Sequence, residues 1–349
     1  MPALLSLATA TPPNRVPQAE LRRAAEGLLP PAPGRAGLLA VFENARIEAR
    51  DLAMPLEWYL QPHGFQERTA AYLATGLRLV EEASRAALSE AGLSARQVKG
   101  IVMVSTTGLA TPSLDARLMN LLPFDPGTVR LPLWGLGCAG GVAGLSRGFE
   151  LVAARGGPVL VVALELCTLL FDSARALAGA AGPDKKALVA ASLFGDGCAA
   201  AVVGPGEDGL ARHVASASHL FPNTERVMGW DVEDHTLDVV LSPRIPDFVR
   251  QSAAATLAPL LARHGRPDEW VLHPGGAKVV DAYRDALDLD AHALRHTEAV
   301  LRRHGNMSSP TVLFALREAL AAGGLREGRT ALLAALGPGF ASEAALLQG

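Results

Sequence analysis

Cys138 stands in the run 131–141, L-P-L-W-G-L-G-C-A-G-G, between an apolar strand-like approach and a glycine-rich helix start. Most free cysteines are small buried hydrophobes. The flanking Gly137, Gly140 and Gly141 set this one apart, because they clear room for a substrate or another backbone to come close. A helix N-terminus also aims its N–H groups and positive dipole end at the sulfur, which favours the nucleophilic thiolate. Two more segments end strands or open helices with reactive side chains, His273 in H-P-G-G and Asn306 after Gly305. Taken singly, His273 fits a turn and Asn306 an ordinary helix N-cap. Together the types make one chemistry. An imidazolium keeps a thiolate ionised at neutral pH. Imidazole and amide N–H groups can both donate to one carbonyl oxygen and hold an enolate or oxyanion as it forms. These motifs contain no carboxylate base, which favours acyl transfer with decarboxylation over hydrolysis. Only the fold can bring such distant residues together.

The elements that must position them follow an α/β rhythm. Strands are expected at 3–9, 100–107, 129–136, 158–165, within 192–204, at 269–272, at 330–336 and at the C-terminus. Helices are expected at 18–28, 67–93, 111–122, 139–155, 246–263, 290–304 and from 305 through 321. Residues 51–66 read as irregular. Strands alternating with helices in both halves predict layered, largely buried sheets. The turn-rich stretch 204–209 is the expected connection, giving halves of 1–205 and 206–349. With 349 residues, 49% hydrophobic, the chain can bury a large core.

A net charge of −3 gives no reason to expect nucleic acid or a membrane surface as partner. The three cysteines, Cys138, Cys167 and Cys198, form neither a disulfide framework nor a metal-ligand spacing. A reducing cytoplasm fits best. The N-terminal apolar run lacks a basic leader and reads as a first strand. No apolar run reaches the roughly 18 residues of a membrane span. Glu165, Asp196 and Cys198 read as structural, and Phe194 as core.

Five motifs resemble the type III polyketide synthases, the chalcone and stilbene synthase superfamily. They are G-C-A-G-G at 137–141, S-L-F-G-D-G-C-A-A at 192–200, H-P-G-G at 273–276, G-N-M-S-S-P-T-V-L-F at 305–314 and G-P-G-F at 337–340. Their order and spacing are the family's, over essentially the whole chain. The resemblance implies a thiolase-like fold, two similar halves in five αβαβα layers, and a homodimer. It implies acyl-CoA and malonyl-CoA as substrates, no tightly bound cofactor and no metal. Carried over by position, Cys138 is the acyl-carrying nucleophile. His273 supports the thiolate and malonyl decarboxylation, and Asn306 shares the oxyanion site. Phe194 is the aromatic gatekeeper, and Ser308 belongs to the substrate cavity.

The chain also departs from the plant pattern. Little remains of the N-terminal basic cluster that grips CoA phosphates, leaving Arg46 and Arg50 as candidates. Val239 stands near the second gatekeeper, Cys167 and Leu170 replace cavity threonines, and Thr111 replaces the methionine that crosses the dimer. These changes resemble bacterial members. Long-chain alkylpyrone or alkylresorcinol synthases need an apolar tunnel, for which Thr106, Ala110 and Thr111 are candidate walls. Tetrahydroxynaphthalene synthases share E-L-C at 165–167 but carry a second cysteine where this chain has Thr106. A ketoacyl synthase III shares the Cys-His-Asn trio but carries H-Q-A-N rather than H-P-G-G. A non-catalytic binding protein would have no need of Cys138.

Overall fold

Val159–Leu166 is buried along its whole length, because its side chains alternate between two apolar layers. Leu160, Val162 and Leu164 enter one core, and Val159, Val161 and Ala163 enter another. Thr330–Gly337 repeats the device, with Leu332, Ala334 and Leu336 on one side and Ala331, Leu333 and Ala335 on the other. The structure is a computed structural model and describes residues 1–31, 34–170, 174, 177, 185–206, 209–232 and 237–349. In chain order its strands are β1 (Pro2–Ala10), β2 (Asn14–Pro17), β3 (Ala49–Leu52), β4 (Gly100–Val104), β5 (Val129–Leu133), β6 (Val159–Leu166) and β7 (Asp196–Pro205), then β8 (Ala211–Leu220), β9 (Met228–Val232), β10 (Leu237–Leu241), β11 (Glu269–Leu272), β12 (Thr330–Gly337) and β13 (Ala341–Gln348).

The two halves wind alike. In the first, β4 is parallel to β6, and β6, β7 and β1 follow antiparallel. In the second, β11 is parallel to β12, and β12, β13 and β8 follow antiparallel. β5 extends the first half beyond β4. Two residue pairs, Ala3 with Arg212 and Leu4 with Ala211, join β1 to β8, so one nine-stranded sheet runs through the described residues. Helices Gly140–Arg155 and Thr311–Ala321 lie in the central core, which draws strand faces from both halves. Helix Phe65–Glu90 covers the outer face of the first half. Helices Ile245–His264 and Ala277–Leu287 cover that of the second. Helix, sheet, helix, sheet, helix is the five-layer order implied by the resemblance.

Several elements differ from the sequence reading. The helix expected over 111–122 contracts to Leu114–Leu118, because Pro112 has no N–H to give and biases Thr111 away from helical geometry. The helix expected from 290 begins at Arg295, and the Asp290 carboxylate instead caps the N–H groups of His292 and Ala293. The pair β2–β3, helix Arg35–Asn44, β8, the pair β9–β10 and helix Ala277–Leu287 were not foreseen. The expected connection at 204–209 lies partly outside the described residues. Among those residues, no helix is long and apolar enough to cross a membrane.

Candidate active site

Cys138 occupies a 3-10 turn, Gly137–Ala139, that leads from β5 into helix Gly140–Arg155. Two glycines make that turn possible. Gly137 has φ +46°, and a Cβ there would lie 2.7 Å from the Pro338 ring of the G-P-G-F turn. A Cβ on Gly141 would lie 2.1 Å from the carbonyl oxygen of Ser309. The room beside the sulfur is therefore filled by the second half of the chain. The glycines serve backbone approach, and through it they bring Cys138 to the segment that carries Asn306.

Asn306 is fixed from several sides. Its N–H donates to Leu193 O at 2.9 Å, and its carbonyl accepts from Gly195 N at 3.0 Å. Its Oδ1 accepts from Ser308 N at 2.7 Å and faces Cys138 Sγ at 4.0 Å. Its Nδ2 donates to Gly275 O at 3.2 Å, beside His273. His273 follows the end of β11, and its N–H donates to Ala334 O at 2.8 Å. Both His273 ring nitrogens are buried with no hydrogen-bond partner. Buried polar atoms without partners are rare, and here they face a cavity. That cavity holds about 310 Å³ and is lined by Cys138, Cys167, Phe194, Val239, His273, Asn306 and Ser308. The structure thus brings together seven of the residues singled out in the sequence.

Electrostatics correct one expectation. The thiol is pushed up to about 11, not down: burial dominates, the Glu165 carboxylate adds to it, and side-chain hydrogen bonding with Ser308 and Asn306 only partly offsets it. Burial also pushes the His273 imidazole down to about 3. Each group alone is therefore neutral at pH 7.

Glu165 and Asp196 hold turns, as read from the sequence. Glu165 accepts from Thr106 N and Thr107 N at 2.9 Å each and from Ser309 Oγ at 2.8 Å. Asp196 accepts from Ala53 N at 2.6 Å and Thr168 N at 2.9 Å. Burial raises both carboxyls to about 7.

Other sequence candidates fall elsewhere. Thr106 is buried with its Oγ1 accepting from Gly137 N at 3.1 Å, so it supports the nucleophile turn and does not line the cavity. Thr111 is exposed beside Pro112. Leu170 packs with Cys167 and Phe194 but faces a separate small pocket near Tyr72. Arg50 is 1% exposed, and its guanidinium donates to Gln18 Oε1, Phe194 O and Ala191 O. It braces the Phe194 segment and is sealed from any CoA phosphate. Arg46 is on the surface but forms a bidentate pair with Asp281 at 2.9 Å. Sequence reasoning missed Met228, Gly229 and Trp230 of β9, Leu241 of β10 and Tyr283, which all line the cavity. The short, mostly apolar run L-D-V-V-L at 237–241 was the available signal.

This thiol, imidazole and amide at the junction of two similar halves define a thiolase-type acyl-transfer enzyme. The family profile for the N-terminal domain of chalcone and stilbene synthases matches residues 59–207, and that for the C-terminal domain matches 212–349. The chain belongs to that family, the type III polyketide synthases. It is 39% identical over 352 residues to a 1,3,6,8-tetrahydroxynaphthalene synthase of Streptomyces peucetius subsp. caesius, covering 97% of this chain and 91% of the relative. A Bacillus subtilis (strain 168) relative, named only provisionally as a chalcone synthase, is 39% identical over 324 residues, covering 88% and 87%. The solved tetrahydroxynaphthalene synthase of Streptomyces coelicolor A3(2), a bacterial type III polyketide synthase, superposes with a TM-score of 0.92 at 32% identity, covering 99% of each chain.

Proposed function

We propose that the protein loads a long-chain fatty acyl group from CoA onto Cys138, extends it with malonyl-CoA and closes the chain to an alkylpyrone or alkylresorcinol. The proton of Cys138 passes to His273, and the thiolate displaces CoA from the starter. Malonyl-CoA then loses CO2, and its enolate oxygen accepts hydrogen bonds from His273 and Asn306. The enolate carbon attacks the acyl thioester, the Cys138 thiolate leaves, and the lengthened chain returns to the sulfur. Cys167, Phe194, Val239 and Ser308 shape the space in which it grows. No metal or bound cofactor enters this cycle.

The observation that carries the long-chain reading lies behind Phe194. A second pocket of about 60 Å³, lined by Leu21, Leu28, Leu56, Leu60 and Leu177, meets the catalytic cavity at Phe194, which lines both. In this proposal the starter's apolar tail runs past Phe194 toward that space, whose lining is leucine-rich and also includes Arg50 and Thr168. This is a different route from the Thr106, Ala110 and Thr111 walls read from the sequence.

The malonyl-primed tetrahydroxynaphthalene reading keeps the support of the named relatives. Against it, Thr106 stands where the resemblance places a second cysteine. Purified protein supplied with malonyl-CoA, with and without a long-chain acyl-CoA, separates the two. Alkylated pyrone or resorcinol masses that need the acyl-CoA are expected. A naphthol formed from malonyl-CoA alone would overturn the long-chain reading. We also propose a homodimer. Leu109 and Trp134 follow the paired ends of β4 and β5, and they remain 47% and 56% exposed on the single chain. Sedimentation equilibrium at the monomer mass would reject it.

A further inference from the structure

We propose that Lys278, which lines the catalytic cavity at its mouth, and Arg244, next in sequence to the lining residues Pro243 and Ile245, hold the phosphates of CoA in place of an N-terminal basic cluster. This rests on the reading of CoA thioesters as substrates. Of the candidates read from the sequence, Arg50 is sealed inside, and the exposed Arg46 already forms a bidentate pair with Asp281. The nearby surface cleft of about 500 Å³ carries Arg46, Arg295 and Arg302. Each of these faces a carboxylate: Asp281, Glu269 and Glu48 respectively. That cleft also lies across helix Ala277–Leu287 from the cavity, since Ala277 and Val280 line the cleft while Lys278 and Val279 line the cavity.

The mouth of the cavity is built differently. Ser242, Pro243, Ile245 and Pro246 form one side, where helix Ile245–His264 begins. Gly275, Lys278 and Val279 form the other, where helix Ala277–Leu287 begins. The two helices pack against each other and start at the same rim, so both positive dipole ends face what enters. Lys278 is exposed in the first turn of its helix, and Arg244 is exposed at the N-cap of the other. Neither forms an ion pair with a described residue; Arg244 rests on the Phe248 ring, 5.6 Å from its centroid. The acidic groups nearest in sequence are already paired, Asp247 with Arg250 and Asp281 with Arg46 and Arg284. At the far end of the same cavity sit the two unsatisfied ring nitrogens of His273, which call for a polar ligand. A long ligand with a thioester at one end and phosphates at the other meets both ends of this site.

The test compares malonyl-CoA with malonyl-pantetheine, which carries the same thioester and no phosphate. The ratio of kcat/KM for the two substrates is measured in the wild type, Lys278→Gln and Arg244→Gln. Binding of CoA itself is followed by calorimetry. Loss of a hydrogen bond to a charged group predicts that the ratio falls about tenfold or more in each variant, through KM, with CoA affinity falling in step. An equal fall for both substrates would show general damage to the mouth and overturn the proposal, as would an unchanged ratio. A wild type that turns over neither substrate yet binds CoA through Lys278 would break the proposed reaction and leave the phosphate site standing.

Discussion

At the residue scale, the site is a problem of burying charge. With the thiol at about 11, only about one part in a thousand is thiolate at pH 8. With the imidazole at about 3, His273 is no stored imidazolium either. Each charge is costly alone, and the cost falls only when the proton moves from Sγ to the ring so that two opposite charges appear together. The rate of Cys138 alkylation by iodoacetamide should therefore level off at a lower pH in the wild type than in His273→Gln. In the variant the raised thiol titrates unaided, and the rate should keep climbing through pH 10. Superimposable profiles would refute the proton transfer. In the proposed cycle Asn306 acts later, on the oxyanion. Asn306→Ala should lower kcat by about 100- to 1,000-fold, the usual loss of one oxyanion donor, while Cys138 still accepts an acyl group detectable by mass. A variant that condenses at the wild-type rate would remove Asn306 from the oxyanion site.

At the element scale, catalysis depends on how closely helix Gly140–Arg155 meets segment 308–310 from the other half. The 2.1 Å approach at Gly141 leaves no room for a methyl group, and the obstacle is backbone that cannot rotate away. Gly141→Ala gains about 1 kcal/mol of helix propensity. It incurs about 1–3 kcal/mol of overpacking or more, so the net effect is loss. Urea unfolding should show a lower midpoint, and acylation of Cys138 should slow because the turn shifts. An unchanged midpoint would mean the two segments are not in register as described. The sequence made this junction partly legible: G-C-A-G-G announced a close approach but not what approached. Cys138, His273 and Asn306 could be named because each ends an element in a turn with an unusual neighbour. Val239 was read, while Met228, Gly229 and Trp230 were not, because β9 joins the cavity only through its pairing with β10. The start of the helix expected from Thr111 was misplaced for a related reason: proline chemistry, not apolar period, decides where that helix begins.

At the scale of the whole molecule, the proposed nucleophile Cys138 comes from one half and its proposed partners His273 and Asn306 from the other. The repeated strand order of the halves comes from pairing partners far apart in the chain, which no local pattern displays. Each half nevertheless borrows from its twin. β1 pairs with β7 of its own half and with β8 of the other. The central core mixes Val142, Leu145 and Phe149 with Val312, Leu313 and Leu316. Cutting the chain between 205 and 206 would expose that layer on both pieces. At about 25 cal/mol per Å² of apolar surface, even a few hundred Å² left bare rivals the 5–15 kcal/mol by which domains are stable. Residues 1–205 expressed alone should thus aggregate or bind a hydrophobic dye without a cooperative thermal transition. Coexpression with 206–349 should recover a soluble complex that acylates Cys138. A cooperative, soluble 1–205 would show instead that the boundary separates independent domains, and that the shared layer is a docking face rather than a core.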